Sequence, residues 1–404
     1  MPARAGFRVE GPLVAYVDGY ASELSRLGYT PGSALHQVRL MAHLSRWLAG
    51  EGLPVEALTP LAVEQFLAAR REAGYSVYWT PPALAPLLEY LGRLGVVGEP
   101  AAVVGSPVEE LLDRYRCYLL VERGLAASTV MVWTRVLRPF VMTRVAEDGG
   151  LDLATLTAAE VASFVLAVAG DGRRGRAATM ASAVRSLLRF LHVDGVIADS
   201  LTGAVPTVAS WQLAALPRGL DAGQVARLVG ACDRRTAGGR RDVAMILLMV
   251  RLGLRAGEVA DLTLDDVDWR AGQILVRGKG GRRERVPLPA DVGQALAGYL
   301  RRGRPPTALG RQVFVRLLAP HRRLTSEAVS MAVRTAARRA GLGPVGAHRL
   351  RHTAATRLLS AGAPLAEVGQ LLRHRKASTT AIYAKVDRLA LRRLARPWPT
   401  AGAA

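Results

Sequence analysis

Apolar residues recur at helical spacing through most of this chain. Between residues 35 and 48 they mark one face of a helix, at Leu35, Val38, Met41, Leu44, Trp47 and Leu48. Gly28 and Gly124 each introduce a Ser- or Thr-containing turn and then a long helical pattern, so the plan repeats roughly 97 residues further on. The pattern predicts two similar helical domains, over residues 1–100 and 105–205.

The second of these segments carries signals for its own helices. Ser128 is a good N-cap residue and predicts the start of a helix that turns Leu137 and Phe140 inward. A later helix, from about residue 177 to 192, places Arg185 and Arg189 on one face because they are four residues apart. This face lies beside a basic loop that contains Arg173, Arg174 and Arg176.

Residues 206–217 contain two prolines between helical patterns and predict a linker. The third domain, 218–404, is helical apart from one strand pattern. There, two β-rich runs, 273–277 and 282–288, surround the Gly-rich turn 278–281, which predicts a hairpin. The expected fold class is therefore mainly α with a small β-hairpin or sheet.

The composition of the chain indicates what kind of partner it binds. The chain has 404 residues, of which 50% are hydrophobic and 22% charged, and this balance is typical of packed domains rather than disorder. Its formal net charge of +21 and pI of about 11.1 favour a phosphate-rich partner, most simply nucleic acid. Of the 54 basic residues, only Lys279, Lys376 and Lys385 are lysines.

Several protein classes are excluded. Two cysteines, Cys117 and Cys232, cannot form a disulfide framework or a four-ligand zinc site, which indicates a reducing compartment. The longest apolar runs are far shorter than the ~20 residues of a spanning helix, and no apolar signal region follows the start. We expect a cytoplasmic protein.

Four short stretches of the third domain suit phosphate chemistry, although each alone is a weak signal. Arg255 and Glu258 are three residues apart, so on a helix the carboxylate can brace the guanidinium. Lys279 stands at the hairpin tip, and a desolvated Lys, unlike Arg, can give up a proton. The usual interpretations would be a surface ion pair and an exposed turn residue.

The other two stretches contain histidines. His348 and Arg351 share a helix face, which combines a titratable proton carrier with a fixed positive charge. His374 precedes Tyr383 by nine residues, and Tyr383 is the only tyrosine of the last hundred residues. Alone, such residues are more often structural.

In order along the chain, these stretches resemble the catalytic set of the tyrosine recombinase (phage integrase) family: Arg255, Lys279, His348, Arg351, His374 and Tyr383. The motifs Leu-Arg-Ala-Gly-Glu, Gly-Lys-Gly, His-x-Leu-Arg-His-Thr and Ser-Thr-Thr-x-x-Tyr stand intact. One departure is Arg373, where the family commonly has Gly. The resemblance implies a core-binding (SAM-like) domain over 105–205, a catalytic domain over 218–404, and an additional helical DNA-binding domain over 1–100.

The resemblance also implies a reaction, the recombination of DNA at specific sites for integration, excision or transposition of a mobile element. Tyr383 would attack a phosphodiester and form a 3′-phosphotyrosyl link, which keeps the bond energy for rejoining without ATP. Arg255 and Arg351 would clamp the non-bridging oxygens, and Lys279 would protonate the leaving 5′-oxygen.

The remaining roles belong to supporting residues. His348 would assist the tyrosine proton, His374 would bind the phosphate, and Glu258 would support Arg255. Double-stranded DNA would be clamped by eight arginines, namely Arg173, Arg174, Arg176, Arg185, Arg189, Arg282, Arg283 and Arg285. The family works as a tetramer on paired sites, alone or with sister recombinases, and the tail after Tyr383 would pack in a neighbouring protomer.

The sequence predicts no cofactor and no metal, because fixed cations would take the metal's place. The one acidic run, Asp265, Asp266 and Asp268, is interpreted as a chain-capping turn.

Three other functions stay open: a non-catalytic DNA-binding protein of the same fold, a type IB topoisomerase, and a metal-dependent nuclease or transposase. The intact set of candidate catalytic residues argues against a non-catalytic protein, and the helical N-terminal region argues against a topoisomerase. A metal-dependent enzyme would need a set of carboxylates gathered from several separated segments, and the sequence shows no such set.

Overall fold

Helices dominate the computed structural model, which describes residues 8–98, 106–170, 174–207, 219–278, 282–374, 377–386 and 391. The chain divides into two compact units. One unit joins Met1–Glu99 to Ala215–Ala404, and the other is Pro100–Ala214. The predicted linker at 206–217 lies almost wholly outside the described residues. The predicted domain limits stay a prediction.

The first segment is a group of four helices: α1 (Val17–Arg26), α2 (Pro31–Gly50), α3 (Pro60–Glu72) and α4 (Pro81–Arg93). Proline stands at the first turn of α2, α3 and α4, where its missing N–H costs nothing. The side chains of Thr30 and Thr59 cap α2 and α3 by accepting backbone N–H groups. The helices enclose a core that includes Tyr20, Leu44, Phe66 and Leu87.

The second unit repeats this plan with α5 (Pro107–Cys117), α6 (Ala127–Met142), α7 (Ala158–Gly170) and α8 (Arg174–Val193). Gly28 and Gly124 have positive φ angles of +84° and +57°, and each stands three residues before the long second helix of its group. The prediction for Ser128 is wrong: α6 begins at Ala127 with Ala126 as N-cap, so Ser128 lies inside the helix. Leu137 and Phe140 do turn inward.

The described residues of the last segment, 215–404, form eight α-helices: α9 (Ala222–Gly230), α10 (Ala237–Leu252), α11 (Ala256–Asp261), α12 (Ala290–Arg302), α13 (Ser326–Arg339), α14 (Ala347–Ser360), α15 (Leu365–Leu371) and α16 (Ala377–Thr380). Residues 243–250 of α10 are all buried, since α12, α13 and α14 surround this helix. The core therefore centres on α10, and the ends of its neighbours converge beside its C-terminus.

A three-stranded antiparallel sheet completes this segment, made of β1 (Val267–Asp268), β2 (Gln273–Arg277) and β3 (Arg283–Pro287). The predicted hairpin is confirmed, with Gln273 opposite Pro287 and Arg277 opposite Arg283. Ile274, Val276 and Val286 face the core, as the alternation along each strand requires. The tip residue Lys279 lies outside the described residues.

Candidate active site

A tight turn after α10 sets the position of Arg255. Gly253 ends α10 with φ +63°, Leu254 is fully buried, and Arg255 is the N-cap of α11. A Cβ atom at Gly253 would lie 2.6 Å from Cδ2 of Leu372, so only glycine fits at this approach. The turn therefore brings Arg255 close to the loop that follows α15.

Glu258 stands between two arginines. Its carboxylate accepts hydrogen bonds from Nη1 of Arg255 at 2.6 Å and from the backbone N–H of Arg255 at 2.9 Å. Its other interaction is with Arg373, whose Nη2 lies 2.8 Å from Oε2. Burial alone would raise the pKa of Glu258, but the charges of Arg373 and Arg255 outweigh it and hold the pKa below its ordinary value. Glu258 thus stays ionised and fixes the Arg255 side chain.

The buried side chain of Arg351 links the turn at Gly253 to the loop that follows α15. It lies in the first turns of α14, is only 2% exposed, and donates from Nη1 to the carbonyl of Gly253 at 2.5 Å. Its Nη2 donates to the carbonyl of Leu372. Burial and the charge of Arg255 lower the pKa of Arg351 to about 10, so the guanidinium is charged at neutral pH.

Tyr383 lies in the short helical turn Ala381–Val386 and is 2% exposed. Its hydroxyl oxygen is 2.8 Å from Nδ1 of His352, one turn after His348 on α14. On its other side, the His374 ring stacks at a centroid distance of 6.3 Å. The Nδ1 atom of His374 is 2.8 Å from Oγ1 of Thr380, which fixes this ring and leaves Nε2 for a ligand.

A cavity of about 220 Å³ opens beside these side chains. Its wall contains Arg255, His374 and Arg373, together with the ends of the hairpin at Gly278 and Arg282. A hydrogen bond of 2.8 Å from Gly278 N–H to the Arg282 carbonyl closes those ends. Three arginines outnumber the single carboxylate of this wall, Glu284, and together with the His374 imidazole they suit a phosphate group.

The titratable groups here are tuned by burial and by positive charge. Burial is the main cause that lowers the pKa of His352 and His374 to about 4, and the charge of Arg351 adds to it. Partial burial and the charges of Arg351 and Arg255 also lower the pKa of His348. Burial raises the pKa of Tyr383, although the two arginines oppose it. At neutral pH the histidines are therefore neutral and the phenol is protonated.

The structure thus brings five of the six predicted catalytic residues into one region, and the sixth, Lys279, is not described. Two further residues escaped prediction. His352 stands in the motif that contains His348 and Arg351, and its spacing from His348 could have placed both on one face. Arg373 was recognised only as a departure, and its contact with Glu258 depends on tertiary packing.

The eight predicted DNA-binding arginines have different surroundings. Arg282 lines the cavity, whereas Arg283 and Arg285 are exposed on β3 and Arg176 and Arg189 are exposed in the other unit. Arg185 is half-buried and donates to the carbonyls of Val205 at 3.2 Å and Pro206 at 2.9 Å. Of the remaining two predicted arginines, Arg173 lies outside the described residues, and the side chain of Arg174 is not described.

The carboxylates of the acidic run accept hydrogen bonds from other groups of the protein. Asp266 accepts from Thr263 and from Arg277, and Asp268 accepts from the backbone N–H groups of Arg270 and Ala271. Within the described ranges, no three His, Cys, Asp or Glu side chains are grouped as metal ligands would be. None of the helices in those ranges is long and apolar enough to cross a bilayer.

Comparison with known proteins identifies the family. Residues 218–389 match the phage integrase family, and residues 112–195 match its N-terminal SAM-like domain. The putative integrase/recombinase y4rA of Sinorhizobium fredii is 40% identical over 395 residues, which cover 96% of this chain and 95% of that protein. The tyrosine recombinase XerD of Mycobacterium tuberculosis is 36% identical over 70% of this chain and 94% of its own length.

Solved structures agree in fold. The XerH site-specific recombinase bound to its palindromic difH substrate has a TM-score of 0.52 at 20% identity, over 73% of this chain and 98% of that one. A lambda integrase dimer bound to a core site has a TM-score of 0.52 at 19% identity, with the same coverage. The chain belongs to the phage integrase family of tyrosine recombinases, enzymes that cleave and rejoin DNA.

Proposed function

We propose that this chain recombines DNA at specific sites through a covalent link to Tyr383, for integration, excision or transposition of a mobile element. The observation that carries the proposal is the grouping of Arg255, Arg351, His374 and Tyr383 in one region, beside a small cavity whose wall contains Arg255 and His374.

In the proposed reaction, the phosphodiester binds with its non-bridging oxygens toward Arg255 and Arg351. The Tyr383 oxygen attacks phosphorus, the bond to the 5′-oxygen breaks, and Lys279 supplies a proton to the leaving oxygen. His374 donates from Nε2 to the phosphate, and His348 assists the transfer of the tyrosine proton from its place on α14. Each donor would contribute a factor of roughly 10²–10³ in rate.

The charge of the chain favours the catalytic half as the main DNA contact. Residues 206–404 contain 35 basic and 13 acidic residues, whereas residues 1–100 contain eight and nine, and residues 101–205 contain eleven of each. The first two segments are therefore nearly neutral. They can contribute local contacts, such as Arg176 and Arg189, but little long-range attraction.

The working assembly is proposed to be a tetramer on paired DNA sites. A lambda integrase tetramer bound to a Holliday junction shares this fold, with a TM-score of 0.50 at 18% identity. Beyond residue 386, the tail proposed to contact a neighbour lies outside the described residues except for Leu391, which is exposed. Analytical ultracentrifugation should detect four protomers on paired target sites, and a limit of two would contradict the tetramer.

The decisive test is capture of the covalent link. Nicked duplexes tiled across the DNA that flanks the gene are incubated with the parent chain and with Tyr383→Phe, then run on a denaturing gel. We expect a DNA-linked protein band from the parent alone. Plasmid relaxation without partner DNA would instead favour a topoisomerase, and binding without any band would favour the non-catalytic alternative.

A further inference from the structure

The hydroxyl of Tyr383 is held by a histidine to which the reaction above gives no role. Nδ1 of His352 lies 2.8 Å from the phenolic oxygen, and the two rings meet edge to face with centroids 5.5 Å apart. Tyr383 is almost completely buried, so the phenolic O–H has this imidazole nitrogen as its partner. Since a phenol donates and an unprotonated ring nitrogen accepts, the ring proton of His352 belongs on Nε2.

The helix geometry explains why this ring, and not that of His348, reaches the phenol. His348 and His352 are one turn apart on α14, and their rings meet edge to face at 4.5 Å. His352 is the nearer of the two to the turn Ala381–Val386, which packs on α14. His374 stacks on the Tyr383 ring and also lines the cavity. The Tyr383 ring therefore contacts His352 at its hydroxyl and, through stacking, a histidine of the candidate phosphate site.

On the basis of the proposed function, we propose that His352 is a catalytic residue, namely the base that receives the proton of Tyr383 during cleavage. As the phenolic oxygen bonds to phosphorus, its proton passes to Nδ1 of His352, and the bond from phosphorus to the 5′-oxygen breaks. The leaving oxygen takes its proton from Lys279. In rejoining, the 5′-oxygen attacks phosphorus and returns its proton to Lys279, the bond from phosphorus to the phenolic oxygen breaks, and His352 returns the other proton to Tyr383.

The charges around His352 are consistent with this exchange. Burial, and beside it the charge of Arg351 on the same helix, keeps His352 neutral and ready to accept a proton. Burial keeps the Tyr383 hydroxyl protonated, so the attack needs an acceptor. When the DNA phosphate enters, its negative charge offsets that of Arg351 and Arg255, and a positive charge on His352 becomes less costly.

The test measures the initial rate of the covalent DNA band with the same tiled nicked duplexes and the full chain. We expect His352→Ala and His352→Gln each to lower the rate by roughly 10²–10⁴-fold with DNA binding unchanged. Added imidazole should restore part of the rate to His352→Ala and none to His352→Gln. The matched control is His36→Gln, an exposed histidine of the first segment, which should keep the parental rate.

A second substrate separates the nucleophile from the leaving group. A 5′-bridging phosphorothiolate has a thiolate leaving group that needs no proton, so it should rescue Lys279→Ala but not His352→Ala. Equal rescue of both variants would overturn the proposal, as would an unchanged or faster rate in His352→Ala. A full rate in His352→Gln would also overturn it, since Gln can accept a hydrogen bond but cannot take the proton.

The failure of the proposed function is distinguishable from the failure of this inference. If the parent forms no covalent band on any duplex, both are rejected. If the parent and His352→Ala form it equally well, the recombinase stands and only the role of His352 is rejected.

Discussion

Arg373 adopts a backbone conformation that arginine rarely takes, with φ +53°. Glycine is common here in the family and would fit without strain. The side chain is 4% exposed and donates from Nη1 to the Leu371 carbonyl at 2.9 Å and from Nη2 to Glu258. Its Nε is buried without a partner among the described residues. Arg373 thus helps Glu258 to hold the Arg255 side chain, but its own backbone conformation is unfavourable.

Two substitutions at this position separate the backbone from the ion pair. Arg373→Gly and Arg373→Ala both remove the contact with Glu258, but only alanine keeps the unfavourable positive φ. We expect Arg373→Ala to be less stable than Arg373→Gly by about 1 kcal/mol, measured from the midpoint of urea unfolding. Equal midpoints would mean that the turn rearranges once the arginine is gone.

The identities of the candidate catalytic residues were largely predictable from the sequence, but the side chains that they contact were not. The order of Arg255, Arg351 and Tyr383 along the chain indicates their chemistry, since few residue types suit phosphate transfer. Helical spacing places His348 and His352 on one face but cannot tell which ring reaches Tyr383. That contact depends on how residues 377–386 pack on α14, a tertiary arrangement with no local signal.

At the scale of elements, α14 organises the site. Its residues His348, Arg351 and His352 lie in the candidate active site, while Thr353 is fully buried and accepts the backbone N–H of Leu220 at 2.9 Å. This helix therefore ties the start of the last segment to the site. The hairpin followed from its alternating pattern and Gly-rich turn. The two-residue β1 was not predictable, because so short a strand has no periodicity.

Acid should weaken the packing of the Tyr383 segment on α14. His352 and His374 have a pKa of about 4 in the folded chain, below their ordinary value of 6.5. Between these values the unfolded chain binds protons that the folded chain does not, so stability falls as pH decreases and levels off below about 4. Urea unfolding at about pH 7 and about pH 5 should show a smaller loss in His352→Gln/His374→Gln than in the parent.

Two arginines of α8 should behave differently toward DNA. Arg189 is exposed, whereas the guanidinium of Arg185 is occupied by the carbonyls of Val205 and Pro206. If Arg189 contacts a phosphate, Arg189→Ala should reduce the slope of log K against log salt by about 0.9. Arg185→Ala should leave the slope unchanged and lower the unfolding midpoint. Equal slopes in the parent and Arg189→Ala would remove Arg189 from the interface.

At the scale of the whole molecule, the first 99 residues and the last segment form one compact unit. Glu89 pairs with Arg322, and Gly28 lies against Thr307 and His321. The sequence predicts three consecutive domains and cannot reveal this association, because complementary surfaces leave no periodic pattern. The distribution of charge, in contrast, could be read directly from the sequence.

Substitution of Gly28 should weaken this association. A Cβ atom there would lie 2.7 Å from Cδ2 of His321 and would clash with Thr307, in addition to the strain of φ +84°. Gly52 also has a positive φ, of +64°, but nothing lies near its Cβ position, so Gly52→Ala reports the strain alone. We expect Gly28→Ala to lower the unfolding midpoint more and to speed proteolysis of the first segment. Identical behaviour of the two variants would argue against the contact.

The joining of residues 1–99 to 215–404 has a consequence for synthesis on the ribosome. The first segment has its own core and can fold early, but residues 307–322 emerge roughly 10 to 40 s later at about 5–20 residues per second. Until then its Gly28 surface is uncovered. Tyr383 is translated last of the six proposed catalytic residues, so the proposed nucleophile is absent from every shorter nascent chain.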